Sequence, residues 1–187
     1  FTLAAALEKG ISPNIVIKSP EKKTFYGMRD CDGYVFPPYE VENSTGEGDF
    51  NMFSGTANSV NTFFIGLETR VNMCRQAEIA ESMGVFRGDG STLTRVPSVP
   101  LGSNEVTPLS MAAAYATFIN KGEYCKPQPI NRIVGLDGEV IKNNKPNCRR
   151  VLSPYVAGTI VRILRRVMAG GGTGAPANFG RPAGGKT

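Results

Sequence analysis

Two short stretches carry side chains capable of reaction. Residues 180–187, GRPAGGKT, satisfy the phosphate-loop pattern G-x-x-x-x-G-K-[ST] at every required position. A working phosphate loop is entered by a buried strand and followed by a helix, so that backbone N–H groups and the helix N-terminus face the anion together. Here the ten preceding residues, GGGTGAPANF, do not form an apolar strand, and Pro182 stands where a donor is wanted. The apolar run that ends in an aspartate, Arg132–Asp137, lies upstream. The nucleotide reading is therefore the weaker one. Lys186 and Thr187 suit another chemistry: on an edge strand beside a cleft, an ammonium and a hydroxyl reach one carboxylate while the strand pairs with a bound peptide. The second stretch is Ser59-Val60-Asn61, a hydroxyl and a carboxamide two residues apart. Alone, such a tripeptide is equally at home where one helix yields to the next.

Composition narrows the chemistry further. The chain has 187 residues, 41% hydrophobic and 20% charged, enough for one globular domain with a real core. It contains no histidine, which excludes Ser-His-Asp and Cys-His catalysis, H-E-x-x-H metalloproteases and most catalytic zinc sites. Proton transfer is left to Lys, Asp, Glu, Ser or Tyr, and neither a metal nor a cofactor is expected. The net charge is +5, and Arg149, Arg150, Arg162, Arg165, Arg166 and Arg181 fall in the last quarter. No aromatic residues interleave with them, and Arg162, Arg165 and Arg166 share the wet face of a helix. A solvated surface is expected there, with no nucleic-acid partner. No run is long and apolar enough to span a membrane.

The elements that must position these groups are readable in part. Residues 1–9, FTLAAALEK, form the end of an apolar helix stopped by Gly10 and Pro13. From Ser12 to Phe53 only short extended pieces and loops are expected. Helical signals return in SGTANSVNTFFIGLETR, and again in NMCRQAEIAESMG, with Asn72 as cap and Gly84 as stop. Thr107-Pro108 and Ser153-Pro154 open two more helices, closed by Gly122 and Gly170. Phe63, Phe64, Met73 and Met83 belong to the core. Between the last two helices, QPINRIVGLDGEVIKNN predicts a hairpin about a type I′ turn at Asp137-Gly138. The four cysteines include no C-x-x-C pair; they fit either two disulfides in an oxidising compartment or four free thiols. Of the three pairings, the hairpin favours Cys125 with Cys148, which stand at its feet, leaving Cys31 with Cys74. No internal repeat and no break in composition marks a second domain.

Longer stretches give these motifs a context. ANSVNTFFIGL, LGSNEVTPLSMAAAYATFINKG, KPQPINRIVGLDGEVI, VLSPYVAGTIVRILRRVMAGGGTG and GRPAGGKT occur in an order and at separations that resemble the transpeptidase domain of class A penicillin-binding proteins, the bifunctional cell-wall synthases of bacteria. The most specific piece is LGSNEVTPLSMAAAYATF. The resemblance runs along the whole chain and implies an α/β (α+β) fold of the penicillin-binding transpeptidase and serine β-lactamase type, incomplete here. It would comprise mostly the helical part, a β-hairpin and the start of the K-T-G strand. FTLAAALEKGISP resembles the segment that follows the S-x-x-K element, with Phe1 two places after its lysine. Residues 1–187 are thus expected to be one domain truncated at both ends. The nucleophilic serine and its lysine would precede Phe1, the glycine of K-T-G would follow Thr187, and the chain would be inactive alone.

The same resemblance implies the function. The parent would be a serine D,D-transpeptidase that cross-links peptidoglycan stem peptides ending in D-Ala-D-Ala and is acylated by β-lactams. Catalytic roles fall to Ser59, Asn61 and Lys186, and substrate binding to Asn61, Lys186 and Thr187. Ser59 would relay a proton, Asn61 would hold the substrate amide, Lys186 would supply positive field, and Thr187 would bond the carboxylate. Another chain could supply the S-x-x-K segment and the remaining strands. The expected location is the extracytoplasmic face of a bacterial membrane, with the anchor outside these residues. The alternatives are a nucleotide-binding domain using GRPAGGKT and a non-catalytic β-lactam sensor of the same fold.

Overall fold

The computed structural model describes residues 1–187. In chain order the elements are α1 (Thr2–Glu8), β1 (Ile17–Ser19), β2 (Lys22–Phe25), β3 (Tyr39–Glu42), β4 (Gly48–Phe50), α2 (Met52–Ala57), α3 (Asn61–Glu68) and α4 (Met73–Ser82). They are followed by α5 (Pro108–Ile119), β5 (Glu123–Cys125), β6 (Arg132–Val134), β7 (Val140–Asn143), β8 (Cys148–Arg150) and α6 (Pro154–Val167). α1 is the hub: Thr2 through Leu7 are all buried, as in a helix enclosed on every side. It packs against α3, α4 and α6, and α6 also packs on α2 and α5. Leu3, Leu7, Phe63, Phe64, Leu67, Ile79, Met83, Ile160 and Ile163 form one core. A smaller cluster of Phe25, Met28, Val41, Ile65 and Met73 lies under β2 and β3.

The expected caps hold three helices in place. Asn72 accepts from the amide of Cys74, Thr107 from Ser110 and Ser153 from Val156, with proline opening α5 and α6. These side chains satisfy amides that have no partner inside the helix. Asn51 and Ser54 add a reciprocal box at the start of α2. The wet face of α6 is as expected, with Arg162, Arg165 and Arg166 exposed over buried Ile163, Leu164 and Val167.

The strands form four separate antiparallel ladders: β1 with β4, β2 with β3, β5 with β8, and β6 with β7. Both disulfides join the expected pairs, Cys31–Cys74 and Cys125–Cys148. The second bridges facing residues of β5 and β8.

Two local expectations need correction. The hairpin turn is not type I′ at Asp137-Gly138. That turn needs positive φ at both residues, and only Gly138 has it. Gly138 N–H instead donates to Gly135, and Gly135 N–H to Glu139, so Leu136 and Asp137 occupy the centre of a longer loop. Lys186 and Thr187 also do not start a paired strand: residues 182–187 belong to no strand and lie beside α6, where the Gly185 amide donates to the Leu164 carbonyl at 3.2 Å. No strand of the chain lies alongside to complete a ladder.

Candidate functional site

The chain reverses at Asn58-Ser59-Val60, between α2 and α3, and this reversal creates the site. Asn58 closes α2 by donating its side chain to the Ser54 carbonyl at 2.9 Å. Ser59 takes φ +52°, in the left-handed region that non-glycine residues seldom occupy. Val60 then opens α3 with its amide on the Gly55 carbonyl. The start of α3 is tied to the end of β3: Asn61 Nδ2 donates to the Glu42 carbonyl at 2.9 Å, and Asn43 Oδ1 accepts from the Thr62 amide at 2.8 Å. Ser59 and Asn61 are thereby held on a corner that two helices and a strand define jointly.

Lys186 and Thr187 arrive at this corner from the far end of the chain. Lys186 Nζ donates to Ser59 Oγ at 2.6 Å and to the main-chain oxygen of Thr187. Ser59 Oγ donates to that same oxygen at 2.9 Å. Lys186 Nζ also stands 5.7 Å from the centre of the Phe64 ring. Burial lowers the Lys186 pKa, because an ammonium loses hydration among apolar walls. Close packing explains the glycines of GRPAGGKT: a Cβ on Gly184 would lie 3.1 Å from Leu164 Cβ, and one on Gly185 would lie 3.1 Å from Met168 Sδ. They let the tail lie on α6 and cradle no phosphate. With no strand before the loop and the lysine held by Ser59, the nucleotide reading has no support.

The fold thus brings Ser59, Lys186 and Thr187 into direct contact, with Asn61 one residue beyond Val60 on the same corner. It also adds residues that lie outside the two motifs. Thr173 Oγ1 meets Thr187 Oγ1 and donates to the Ala57 carbonyl at 3.1 Å. One hydroxyl proton serves one bond, so Thr187 is the donor between the two threonines. The signal in sequence was slight, a single threonine inside the glycine tract. Thr56 is the second: its Oγ1 is buried without a hydrogen-bond partner. Thr56 and Lys186 line one cavity of about 250 Å³, along with Phe1, Thr2, Leu3, Phe64 and Tyr115.

One S-x-x-K spacing does occur in the chain, Ser19-Pro20-Glu21-Lys22, and its geometry rules it out as a nucleophile and base. Ser19 is fully buried and donates to the Ile17 carbonyl at 3.0 Å, while Lys22 pairs with Glu40 at the surface at 2.8 Å. The basic residues of the last quarter are also partly committed to structure. Arg149 donates to the Ser82 carbonyl and lies over Tyr124, and Arg150 donates to the Lys121 carbonyl.

Comparison with known proteins agrees with this geometry. The sequence matches the family described as "Penicillin binding protein transpeptidase domain" over residues 1–187. It is 30% identical over 183 residues to penicillin-binding protein 1A of Aquifex aeolicus, covering 98% of this chain and 24% of that protein. It is 33% identical over 156 residues to penicillin-binding protein 1A of Clostridium acetobutylicum, covering 80% of this chain and 19% of that protein. The chain thus spans about a quarter or less of these relatives. Among solved structures, penicillin-binding protein 3 of Mycobacterium tuberculosis aligns with TM-score 0.75 and 23% identity over 94% of this chain and 43% of its own. The D,D-transpeptidase domain of a peptidoglycan glycosyltransferase from Eggerthella lenta aligns with TM-score 0.74 and 21% identity, covering 100% of this chain and 51% of its own. Another similar structure is a ceftriaxone acyl-enzyme complex of penicillin-binding protein A from M. tuberculosis, at TM-score 0.72 and 21% identity, covering 88% of this chain and 40% of that one. The mixed helix-and-strand fold is that of these domains, and the chain belongs to the penicillin-binding protein transpeptidase domain family.

Proposed function

We propose that residues 1–187 are part of one transpeptidase domain and form two walls of an acyl-transfer site that cross-links peptidoglycan stem peptides and is acylated by β-lactams. The observation that carries this reading is the Lys186–Ser59 hydrogen bond, which unites two motifs 127 residues apart. The nucleophilic serine, its S-x-x-K lysine and the remaining strands come from residues outside 1–187, of the same polypeptide or of another chain, so these residues alone are inactive. The two disulfides favour an extracytoplasmic, oxidising location, and no helix here is long and apolar enough to cross a membrane.

Each residue has a role within its reach. Ser59 Oγ has one proton to give and accepts from Lys186, so it can relay a proton between a neighbouring base and the leaving nitrogen. Lys186 offers an ammonium to the carboxylate of D-alanine, and Thr187 reaches the same carboxylate by turning its hydroxyl proton away from Thr173. Burial lowers the Lys186 pKa and an arriving carboxylate raises it, so anion binding and retention of the ammonium proton reinforce each other. Asn61 has its NH₂ on the Glu42 carbonyl, which leaves its oxygen to accept from a substrate amide.

The test is covalent labelling by a fluorescent penicillin of a polypeptide that contains these residues and the S-x-x-K segment. Labelling is expected, and Ser59→Ala should slow it by about a hundredfold or more, the usual contribution of a positioned proton-transfer group. Absence of labelling in the unmutated polypeptide overturns the proposal.

A further inference from the structure

We propose that Glu68 is a positioning residue of this site, holding the first turn of α1 against the Lys186 cavity through a buried line of side chains formed by Gln76 and Thr2. Its effect on the reaction rests on the transpeptidase reading; its effect on α1 does not. Glu68 ends the helix that Asn61 begins and is only 3% exposed. Its Oε1 accepts from Gln76 Nε2 on α4, and Gln76 Oε1 accepts from Thr2 Oγ1 on α1 at 2.6 Å. Gln76 and Thr2 are 1% and 4% exposed. Three helices are therefore joined by one polar line in an apolar core. Its near end, Thr2, lines the same cavity as Lys186.

The line holds α1 best while Glu68 keeps its proton. Glu68 Oε2 is buried and has no hydrogen-bond partner, a place where a carboxylic acid is tolerated and an anion is not. None of the groups around it forms an ion pair with it. Tyr39 of β3 faces it, and burial and then Glu68 itself raise the Tyr39 pKa. Tyr26, Arg29, Asp30 and Asn72 share with it a cavity of about 430 Å³. Arg29 is committed to the Gly33 carbonyl, Asp30 accepts the amides of Asp32 and Tyr34, and Asn72 caps α4. Lys9 and Arg70 bond the carbonyls of Arg70 and Gly66. Burial accordingly raises the Glu68 pKa to about 8, outweighing the Gln76 hydrogen bond, which favours the anion. Above that pH the carboxylate draws water in through the adjoining cavity, and the hold on Thr2 loosens.

Glu68→Gln keeps the shape and the acceptor but cannot ionise, which gives two readouts. In the 187-residue chain, hydrogen exchange at the Ala5 amide, the first α1 amide bonded within the helix, is compared with its intrinsic rate from pH 7 to 9. A single proton lost near pH 8 raises the ionised fraction about tenfold over that interval, so exchange in the unmutated chain should rise about tenfold and stay flat in Glu68→Gln. In the longer polypeptide, the penicillin-labelling rate divided by that of Glu68→Gln should fall about tenfold over the same range; Lys186 titrates in both proteins and cancels. Thr2→Val, which cuts the line at its near end, should exchange fast already at pH 7 and show no further rise. Flat exchange in the unmutated chain overturns the proposal. A flat labelling ratio overturns the effect on the site. If neither protein is labelled at pH 7, the transpeptidase reading fails while the exchange test of Glu68 stands.

Discussion

Ser59 holds a backbone conformation that works against the stability of the fold. A left-handed φ of +52° costs a residue with a Cβ on the order of 1 kcal/mol, and the return is an Oγ placed between Lys186 and Thr187. Comparing two variants isolates this cost. Ser59→Ala and Ser59→Gly both lose the hydroxyl and should be labelled by penicillin equally slowly, yet urea titration should find the glycine variant more stable than the alanine variant by about 1 kcal/mol. Equal stabilities would mean that the corner carries no strain. Glu68 gives a dependence of the opposite origin. Its pKa is 4.5 in the unfolded chain and about 8 when folded, so between those values the folded state binds the extra proton. Stability therefore falls as pH rises, by about 1.4 kcal/mol per unit at most, and is flat below pH 4.5 and above 8. Glu68→Gln should remove that slope from a series of urea midpoints measured between pH 5 and 9. The sequence displayed Ser59, Asn61, Lys186 and Thr187 as reactive types. It gave no sign of the φ at Ser59 and only a slight one of Thr173 beside Thr187, because both follow from contacts between distant segments.

Helix ends were readable wherever one side chain determines them. Thr107-Pro108, Ser153-Pro154 and Asn72 each satisfy an amide a few residues away, so local sequence contains the whole cause. The division into α2 and α3 was readable only as one use of Ser59-Val60-Asn61, where one helix can yield to the next, since the small residues around it equally permit a helix straight through. What divides it is Phe63, which folds back onto Gly55: a Cβ there would lie 2.6 Å from the ring. The hairpin loop failed for a related reason, as Asp-Gly permits a two-residue turn and the β-bulge in the β6–β7 ladder selects a longer one. Gly55→Ala is favourable for an isolated helix, yet here it must push the fully buried Phe63 and open the corner that carries Ser59. The expected loss is about 1–3 kcal/mol, visible as a lower melting temperature by circular dichroism. Slower penicillin labelling should accompany it. An unchanged or raised melting temperature would show that Phe63 is not what sets the crossing of α2 and α3.

The helical body is held by its own core, while the strands are only two-stranded ladders, which are marginal in isolation. The two disulfides fall on these weaker parts. Cys31–Cys74 ties the connection between β2 and β3 to α4, beside the Glu68 cavity. Cys125–Cys148 joins β5 to β8 below a hairpin whose strand residues are all exposed. The Cys125–Cys148 pairing was readable because the hairpin brings its feet together. That Ser59 and Lys186 meet was not contained in any spacing, and came only from the order of longer stretches that matched a family. Loop-closure entropy makes the larger loop the more valuable: about 4 kcal/mol for a separation of 43 residues and about 3.5 for 23. These similar costs should have different consequences. Replacing Cys125 and Cys148 with serine should lower the urea midpoint and leave penicillin labelling of the folded protein within about twofold, since β5 and β8 contribute nothing to the Ser59 corner. Replacing Cys31 and Cys74 with alanine frees the segment over Glu68, whose line ends at Thr2, so it should lower the midpoint and slow labelling together. Equal labelling by both variants would show that the site is insulated from the lobe beside α4, and that α1 is held by its apolar neighbours alone.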